Sequence, residues 1–197
     1  MKLERLEGFE VFPWNDYFET GIAKIDEQHK HLVSILNQLA LYLGSTNKPA
    51  DLKGIFGELA AYADYHFSCE EVIWESHFRD DPFLHNHYKT HASFMVEVRK
   101  LQEASEPIDK VIDKIIKFLS HWLATHILYT DAHMAKIVLA VQEGLPLEKA
   151  KLQSEAEMGG DKVALIEDLL KSYEKQAERT IELMRQQSGR RNRNPDK

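Results

Sequence analysis

Apolar residues recur along this chain at intervals of three and four in four long runs, the period of an amphipathic helix. From about Ile22 to Leu43 the stripe is Ile25, Leu32, Leu36 and Leu39. From about Ala50 to Ser76 one face carries Ile55, Leu59, Tyr62, His66 and Ile73. From about Phe83 to Ala104 it carries Leu84, Phe94, Val98 and Leu101, and from about Ile108 to Ile127, running on toward Val141, it carries Leu119, Trp122 and Leu123. Gly44 to Pro49, Asp80-Asp81-Pro82 and Glu106-Pro107 punctuate the runs as turns. No stretch alternates as a strand would. Four long helices with short connections predict an all-α fold, an antiparallel up-down four-helix bundle.

Both ends extend beyond the bundle. Residues 1–20 read as an extended arm, since Pro13 discourages helix and Phe9, Val11, Phe12, Trp14 and Tyr17 are available to pack; Thr20-Gly21 ends it. With the arm, the bundle domain spans residues 1–142. Gly144-Leu145-Pro146 and Gly159-Gly160 bound a connector, 143–160. A helix over 161–187 then carries Ile166, Leu170, Tyr173, Ala177, Thr180 and Met184, spaced alternately four and three as in a coiled-coil seam. That stripe can pack back on the bundle, or it can join two copies as a homodimer and carry a signal. Residues 188–197 read as a disordered basic tail.

Composition narrows the class. The 197 residues are 43% hydrophobic and 29% charged, and the formal net charge of −7 argues against nucleic acid as a partner. No run is long and apolar enough to insert in a membrane, and the charged start Met1-Lys2-Leu3-Glu4-Arg5 is unlike a signal peptide. One cysteine, Cys69, cannot form a disulfide within the chain, and a cytoplasmic location is expected. The unusual number is ten histidines.

Several of these histidines lie on apolar stripes. His66 and Glu70 are four residues apart, about 40° around a helix, and share the face of Leu59 and Ile73. His87 and His91 repeat that spacing among Leu84 and Phe94, and His29 shares its stripe with Ile25 and Leu32. A single core histidine is more often hydrogen-bonded than metal-bound; pairs on apolar faces weaken that reading, because buried charge is costly without a partner. His126 follows Leu119 and Leu123, and Asp131 comes five residues later, about 140° away on a regular helix. For both to point inward the helix must widen there or end. His31, His77, His85, His121 and His133 read as surface or ordinary structural residues, and Asp26 and Glu71 as surface or supporting ones. Five imidazoles and two carboxylates exceed the four ligands of a zinc site and suit two first-row metal ions.

The stretches Gly21-Ile22 with Ile25-Asp26-Glu27-Gln28-His29, His66-Phe67-Ser68-Cys69-Glu70-Glu71, His87-Tyr88-Lys89-Thr90-His91 with Phe94, and Trp122-Leu123-Ala124-Thr125-His126-Ile127 with Asp131 together resemble the hemerythrin family, and its bacterial members closely. The resemblance covers roughly residues 10–140 and implies a non-haem centre of two iron ions that binds O2. Glu70 and Asp131 would bridge the irons together with an oxo or hydroxo group. His87, His91 and His126 would complete one iron; His29 and His66 would hold the other, open to O2. Leu32, Phe67, Leu123 and Ile127 would line the O2 pocket with Trp122 nearby, and Trp14 would cover the site from the arm. Bacterial hemerythrin domains are often fused to signalling modules, so the resemblance and the extension together imply an O2 or redox sensor domain. Its output, such as a diguanylate cyclase or chemoreceptor module, would lie outside this chain. A soluble O2 carrier and a di-iron oxidase or peroxidase are the alternatives.

Overall fold

The structure is a computed structural model, and it describes residues 10–44, 52–79, 81–159 and 161–193. The loop read at Ser45–Pro49, Asp80, Gly160 and Phe9 lie outside the described residues.

Helix α1 spans Ala23–Gly44, α2 Leu52–Phe78 and α3 Pro82–Gln102. The fourth rod is continuous but not uniform: α4, Ile108–Thr125, passes into a π-helical turn, His126–Asp131, and then into α5, Ala132–Gln142. Neighbouring helices α1 and α2, α2 and α3, α3 and α4, and α4 and α1 pack in a ring, the up-down bundle the periodicity predicts. Among the described residues no helix is long and apolar enough to cross a membrane.

The core is split in two. The larger part holds Leu32, Leu36, Phe56, Leu59, Phe67, Phe94, Val98, Ile112, Leu119 and Leu123. The smaller gathers Trp74, Phe78, Leu84, Met134, Ile137 and Val138. On α2, α3 and the fourth rod the polar residues of interest lie in sequence between the two parts. Phe67 and Trp74 flank Glu70, Leu84 and Phe94 flank His87 and His91, and Leu123 and Met134 flank His126 and Asp131. A rigid apolar packing above and below therefore holds these side chains in place.

Three terminal features depart from the sequence reading. In the arm, Val11, Phe12 and Phe18 are buried, while Tyr17, read as available to pack, is 67% exposed. A 3-10 turn, Asp16–Phe18, capped by Asn15 Oδ1 accepting from Tyr17 N–H at 2.8 Å, rotates Phe18 inward and Tyr17 out. The connector contains a helix, α6, Leu147–Met158, reached through Gly144 at φ +99°, a conformation favouring glycine. Only the small residues Ala150 and Ser154 of α6 are buried, a stripe too slight to read as apolar. The last helix, α7, runs from Asp161 to Arg193, beyond the Gln187 expected, so residues 188–193 of the expected disordered tail are helical; 194–197 are outside the described residues. Its seam, Ile166, Tyr173, Ala177, Thr180 and Met184, is buried against α1 and α4. The stripe offered for a homodimer is thus occupied within the chain.

Asp81 joins α3 to α6. Its carboxylate accepts from Phe83 N–H at 2.8 Å as the α3 N-cap and pairs with Lys151 Nζ at 2.6 Å. Burial pushes its carboxyl upward, but Lys151 and the Phe83 N–H outweigh that and hold it below the usual range. The Lys151 ammonium is raised, chiefly by Asp81. A depressed carboxyl stabilises the fold above its unfolded value, and that contribution is lost as pH falls through the native one. Asp81→Ala is expected to cost about 1 kcal/mol at neutral pH. The difference from the parent chain, measured by urea unfolding, should be constant between pH 5 and 9 and shrink below about pH 4.

Candidate metal centre

All seven residues singled out on the four rods converge. His29 comes from α1, His66 and Glu70 from α2, His87 and His91 from α3, and His126 and Asp131 from the two ends of the π turn. Each is at most 3% exposed. The π turn does what the spacing of five required: its i→i+5 bonding widens the helix, so His126 and Asp131 both face the bundle axis.

The two carboxylates divide the five imidazoles. Glu70 Oε1 lies 3.5 Å from His29 Nε2 and 3.7 Å from His66 Nε2. Its other oxygen, Oε2, lies 3.2 Å from His91 Nε2 and 3.8 Å from His87 Nε2. Asp131 repeats the division, with Oδ2 at 3.3 Å from His29 Nε2 and Oδ1 at 3.0 Å from His87 Nε2 and 3.2 Å from His126 Nε2. Each carboxylate therefore turns one oxygen toward the His29 side and the other toward the His87 side, and between them the two reach all five histidines. His29, His66 and Glu70 form one set of potential metal ligands, and Glu70, His87, His91 and His126 another.

Protein atoms alone do not satisfy this cluster. Both oxygens of Glu70, Asp131 Oδ2 and His29 Nε2 are buried without a hydrogen-bond partner. His91 Nε2 and His126 Nε2 stand 3.0 Å apart. His91 Nδ1 faces Glu71 Oε1 at 3.2 Å, and a carboxylate there accepts a hydrogen bond from Nδ1–H, which keeps the proton on Nδ1 and leaves Nε2 a bare lone pair. His66 is oriented likewise, its Nδ1 3.2 Å from Gln28 Oε1. Imidazoles held outward at Nδ1 and converging through Nε2 are the arrangement of metal-bound histidines.

The electrostatics agree. Burial, with repulsion among neighbouring imidazoles, holds His66 and His91 well below the ordinary histidine range, and burial with His87 pushes His126 down to about 3. A downward shift favours the neutral imidazole, the form that offers a lone pair to a metal. Burial and the repulsion of Asp131 push Glu70 up; burial acts upward on Asp131 too, but His126, His29 and His87 outweigh it and hold it down. Burial lowers His29, yet its contacts with Asp131 and Glu70 raise it. Two carboxylates this close cannot both keep a full charge without cations beside them.

That two-and-three division, through a bridging carboxylate pair, fits two metal ions. The chain matches the Hemerythrin HHE cation binding domain over residues 20–138. It belongs to the hemerythrin family. It is 35% identical to a bacteriohemerythrin of Clostridium acetobutylicum over 126 residues, 61% of this chain and 96% of that protein. It is 32% identical to a bacteriohemerythrin of Pseudomonas aeruginosa (60% and 76% covered) and 30% identical to a myohemerythrin of Theromyzon tessulatum (62% and 89% covered). No solved structure matches. The domain is hemerythrin-like, di-iron and oxygen-binding, and its His, Glu and Asp cluster suits the iron pair. The family match ends inside α5, so α6 and α7 lie beyond it.

Of the residues read as lining an O2 pocket, Phe67 and Trp122 touch the ligand histidines. Leu32, Phe67, Leu123 and Ile127 are buried. Phe67 stacks on His91 at 3.8 Å and meets His66 at 5.6 Å, so it spans both ligand groups. Trp122 stacks on His126 at 4.2 Å and touches Phe67. Trp14 packs on Phe18 at 5.4 Å, with the Lys30 ammonium over its ring.

Three supporting residues escaped the sequence reading or were placed loosely by it. Gln28 is buried behind His66, Glu71 stands behind His91, and Trp74, wholly buried, meets the His87 ring edge-on at 6.2 Å. Asp26, read as surface or supporting, is buried and accepts from Thr20 N–H, Thr20 Oγ1–H and Gly21 N–H, which fixes where the arm enters α1. Polar residues one position from a ligand carry no periodic signal of their own. Gln28→Leu removes the acceptor of His66 Nδ1–H; a 10–100-fold loss of metal affinity is expected, about what lost partners of metal-bound histidines cost, measured by competition with a chelator.

Proposed function

We propose that this domain is a sensor of O2 or redox state whose signal leaves through α7. In this reading Glu70 and Asp131 would hold both iron ions, with His87, His91 and His126 at one and His29 and His66 at the other. The side with two imidazoles against three would be one protein ligand short and would be the one open to O2. When bound, the irons would supply the electrons for reversible O2 binding. The surrounding residues supply selectivity: Leu32, Phe67, Leu123 and Ile127, with Trp122 and the arm residue Trp14, keep water and anions away from a reduced centre. On this reading the domain binds and reports rather than catalyses.

One observation carries the sensor role. Tyr129, inside the π turn between His126 and Asp131, donates its hydroxyl to the backbone carbonyl of Val163 on α7 at 3.4 Å. α7 also packs along α1 and α4, which bear His29 and lead into His126. A change of the centre that shifts the π turn therefore meets α7 directly. Amide hydrogen exchange across residues 163–184 is expected to differ at least about threefold between the reduced anaerobic protein and the oxygenated one, and Tyr129→Phe should reduce that difference. Equal exchange in both states would sink the sensor reading and leave a soluble O2 carrier, the function that similarity to single-domain bacteriohemerythrins supports. Removing α7 is a poor test, since its seam is part of the core.

A further inference from the structure

Two of the five clustered imidazoles are held from behind, and by unlike groups. His66 Nδ1 lies 3.2 Å from the amide oxygen of Gln28, and His91 Nδ1 lies 3.2 Å from a carboxylate oxygen of Glu71. Among the described residues no group hydrogen-bonds the Nδ1 of His29, His87 or His126. Gln28, a neutral acceptor 4% exposed, stands one position before His29 on α1. Glu71, an anionic acceptor, stands one position after Glu70 on α2, and its side chain is 36% exposed, so water helps to keep it ionised. Each is thus beside one ligand in sequence and behind another in space. Among the described residues no lysine or arginine pairs with Glu71, so its charge is directed at His91.

The two acceptors fall on opposite sides of the cluster. His66 and Gln28 go with the group of His29, and His91 and Glu71 with the group of His87 and His126. A hydrogen bond accepted from Nδ1–H raises the basicity of Nε2, and an ionised acceptor makes a bond roughly twice as strong as a neutral one. Glu71 therefore strengthens His91 as a donor more than Gln28 strengthens His66. A more basic ligand favours the higher oxidation state of a metal, and hydrogen bonds behind the ligands are one of the levers by which a protein sets a reduction potential.

We propose that Glu71 is a positioning residue that makes the two metal sites unequal: through His91 it biases its side toward the ferric state, while Gln28 leaves the His66 side the more easily reduced. The inference rests on the ligand reading above. The bridging carboxylates are common to both sites in that reading, so the difference comes from the charge behind one imidazole on each side. A one-electron oxidant acting on the fully reduced protein then removes its electron from the His91 side first, leaving one ferric and one ferrous ion.

The test uses the full iron-loaded chain, with iron counted on the same sample, in anaerobic spectroelectrochemical titration with ferricyanide as the one-electron oxidant. Glu71→Gln keeps an acceptor of the same reach and removes the charge. With iron content unchanged, the first oxidation step should become at least about threefold less favourable, a rise of about 28 mV in its midpoint potential. Gln28→Glu places a charge behind His66 and should lower the midpoint of the other step by at least about as much. Glu71→Gln decides the matter if Gln28→Glu, which buries a carboxylate, does not fold. In the zinc-loaded chain, where no redox step occurs, the Nδ1–H proton resonance of His91 should move upfield in Glu71→Gln, because its acceptor is weaker. Two bound irons whose midpoints do not move in Glu71→Gln, shifts of the same sign in both variants, or an unmoved His91 resonance would overturn the proposal and leave the ligand assignment standing. A chain that binds no pair of metal ions would refute the ligand reading and this proposal with it.

Discussion

Glu70→Leu is expected to empty both metal sites and, at the same time, to make the metal-free chain more stable. The two effects share one cause. In the metal-free protein Glu70 is a fully buried carboxylate beside Asp131, with neither oxygen hydrogen-bonded, and burial and repulsion raise its pKa. Replacing such a group with an apolar one of similar size is neutral to stabilising by about 1–4 kcal/mol. On the proposed ligand assignment the same carboxylate, which turns one oxygen to each histidine group, would serve both metal sites, so its loss would remove a ligand from both. Bound metal stabilises a fold by an amount that grows with the logarithm of free metal over Kd, about 4 kcal/mol at a thousandfold excess, and the variant should forfeit that increment. Elemental analysis after desalting, with thermal unfolding with and without iron, measures both signs. A variant that still holds both ions, or one destabilised equally in either state, would mean that Glu70 is structural rather than bridging.

Tyr173→Ala is expected to release the arm and α7 together. Tyr173 is 7% exposed, and its ring packs on Phe12 at 4.7 Å and Phe18 at 5.2 Å. Its hydroxyl donates to Pro13 O at 2.9 Å and accepts from the Asn15 side-chain amide. Truncating a buried aromatic residue costs about 3–5 kcal/mol, and Tyr173→Phe, which leaves only polar partners unpaired, about 1–2. Urea unfolding at fixed pH, with exchange of the arm amides alongside, reads both. A loss below about 1 kcal/mol for Tyr173→Ala would show that α7 is not held at this point. Because Trp14 and Phe18 belong to the same aromatic group, a loosened arm should also admit solvent toward the metal centre.

The metal centre was the most legible part of the chain, because its residues conflict with their surroundings. A histidine or glutamate on an apolar stripe must find a partner or a metal, and the four-residue spacing of His66 with Glu70 and His87 with His91 shows that they share a face. Even the π turn is foreshadowed, since His126 and Asp131 cannot both face inward on a regular helix. What the spacing could not supply is the pairing across helices. That Glu70 and Asp131 each turn one oxygen toward the side of His29 and the other toward the side of His87 depends on side-chain geometry between elements. Gln28 and Trp74 were hidden for the same reason, and Glu71 could be read only as surface or supporting.

The extension shows the other limit. The buried stripe of α6 is Ala150 and Ser154, small residues that allow close approach to α5 but add no apolar period. The stripe of α7 was plain, yet a stripe says only that one face must leave water, not what covers it. A second copy and the groove between α1 and α4 would satisfy the same residues equally well in sequence. The residues by themselves determined the four bundle rods and α7, their inward faces and the chemistry of the clustered side chains, because each follows from local periodicity and the cost of burying polar groups. Only the tertiary structure decided which faces meet, how the carboxylates divide the histidines, and that α7 closes on its own bundle, because those depend on contacts between residues far apart in the chain.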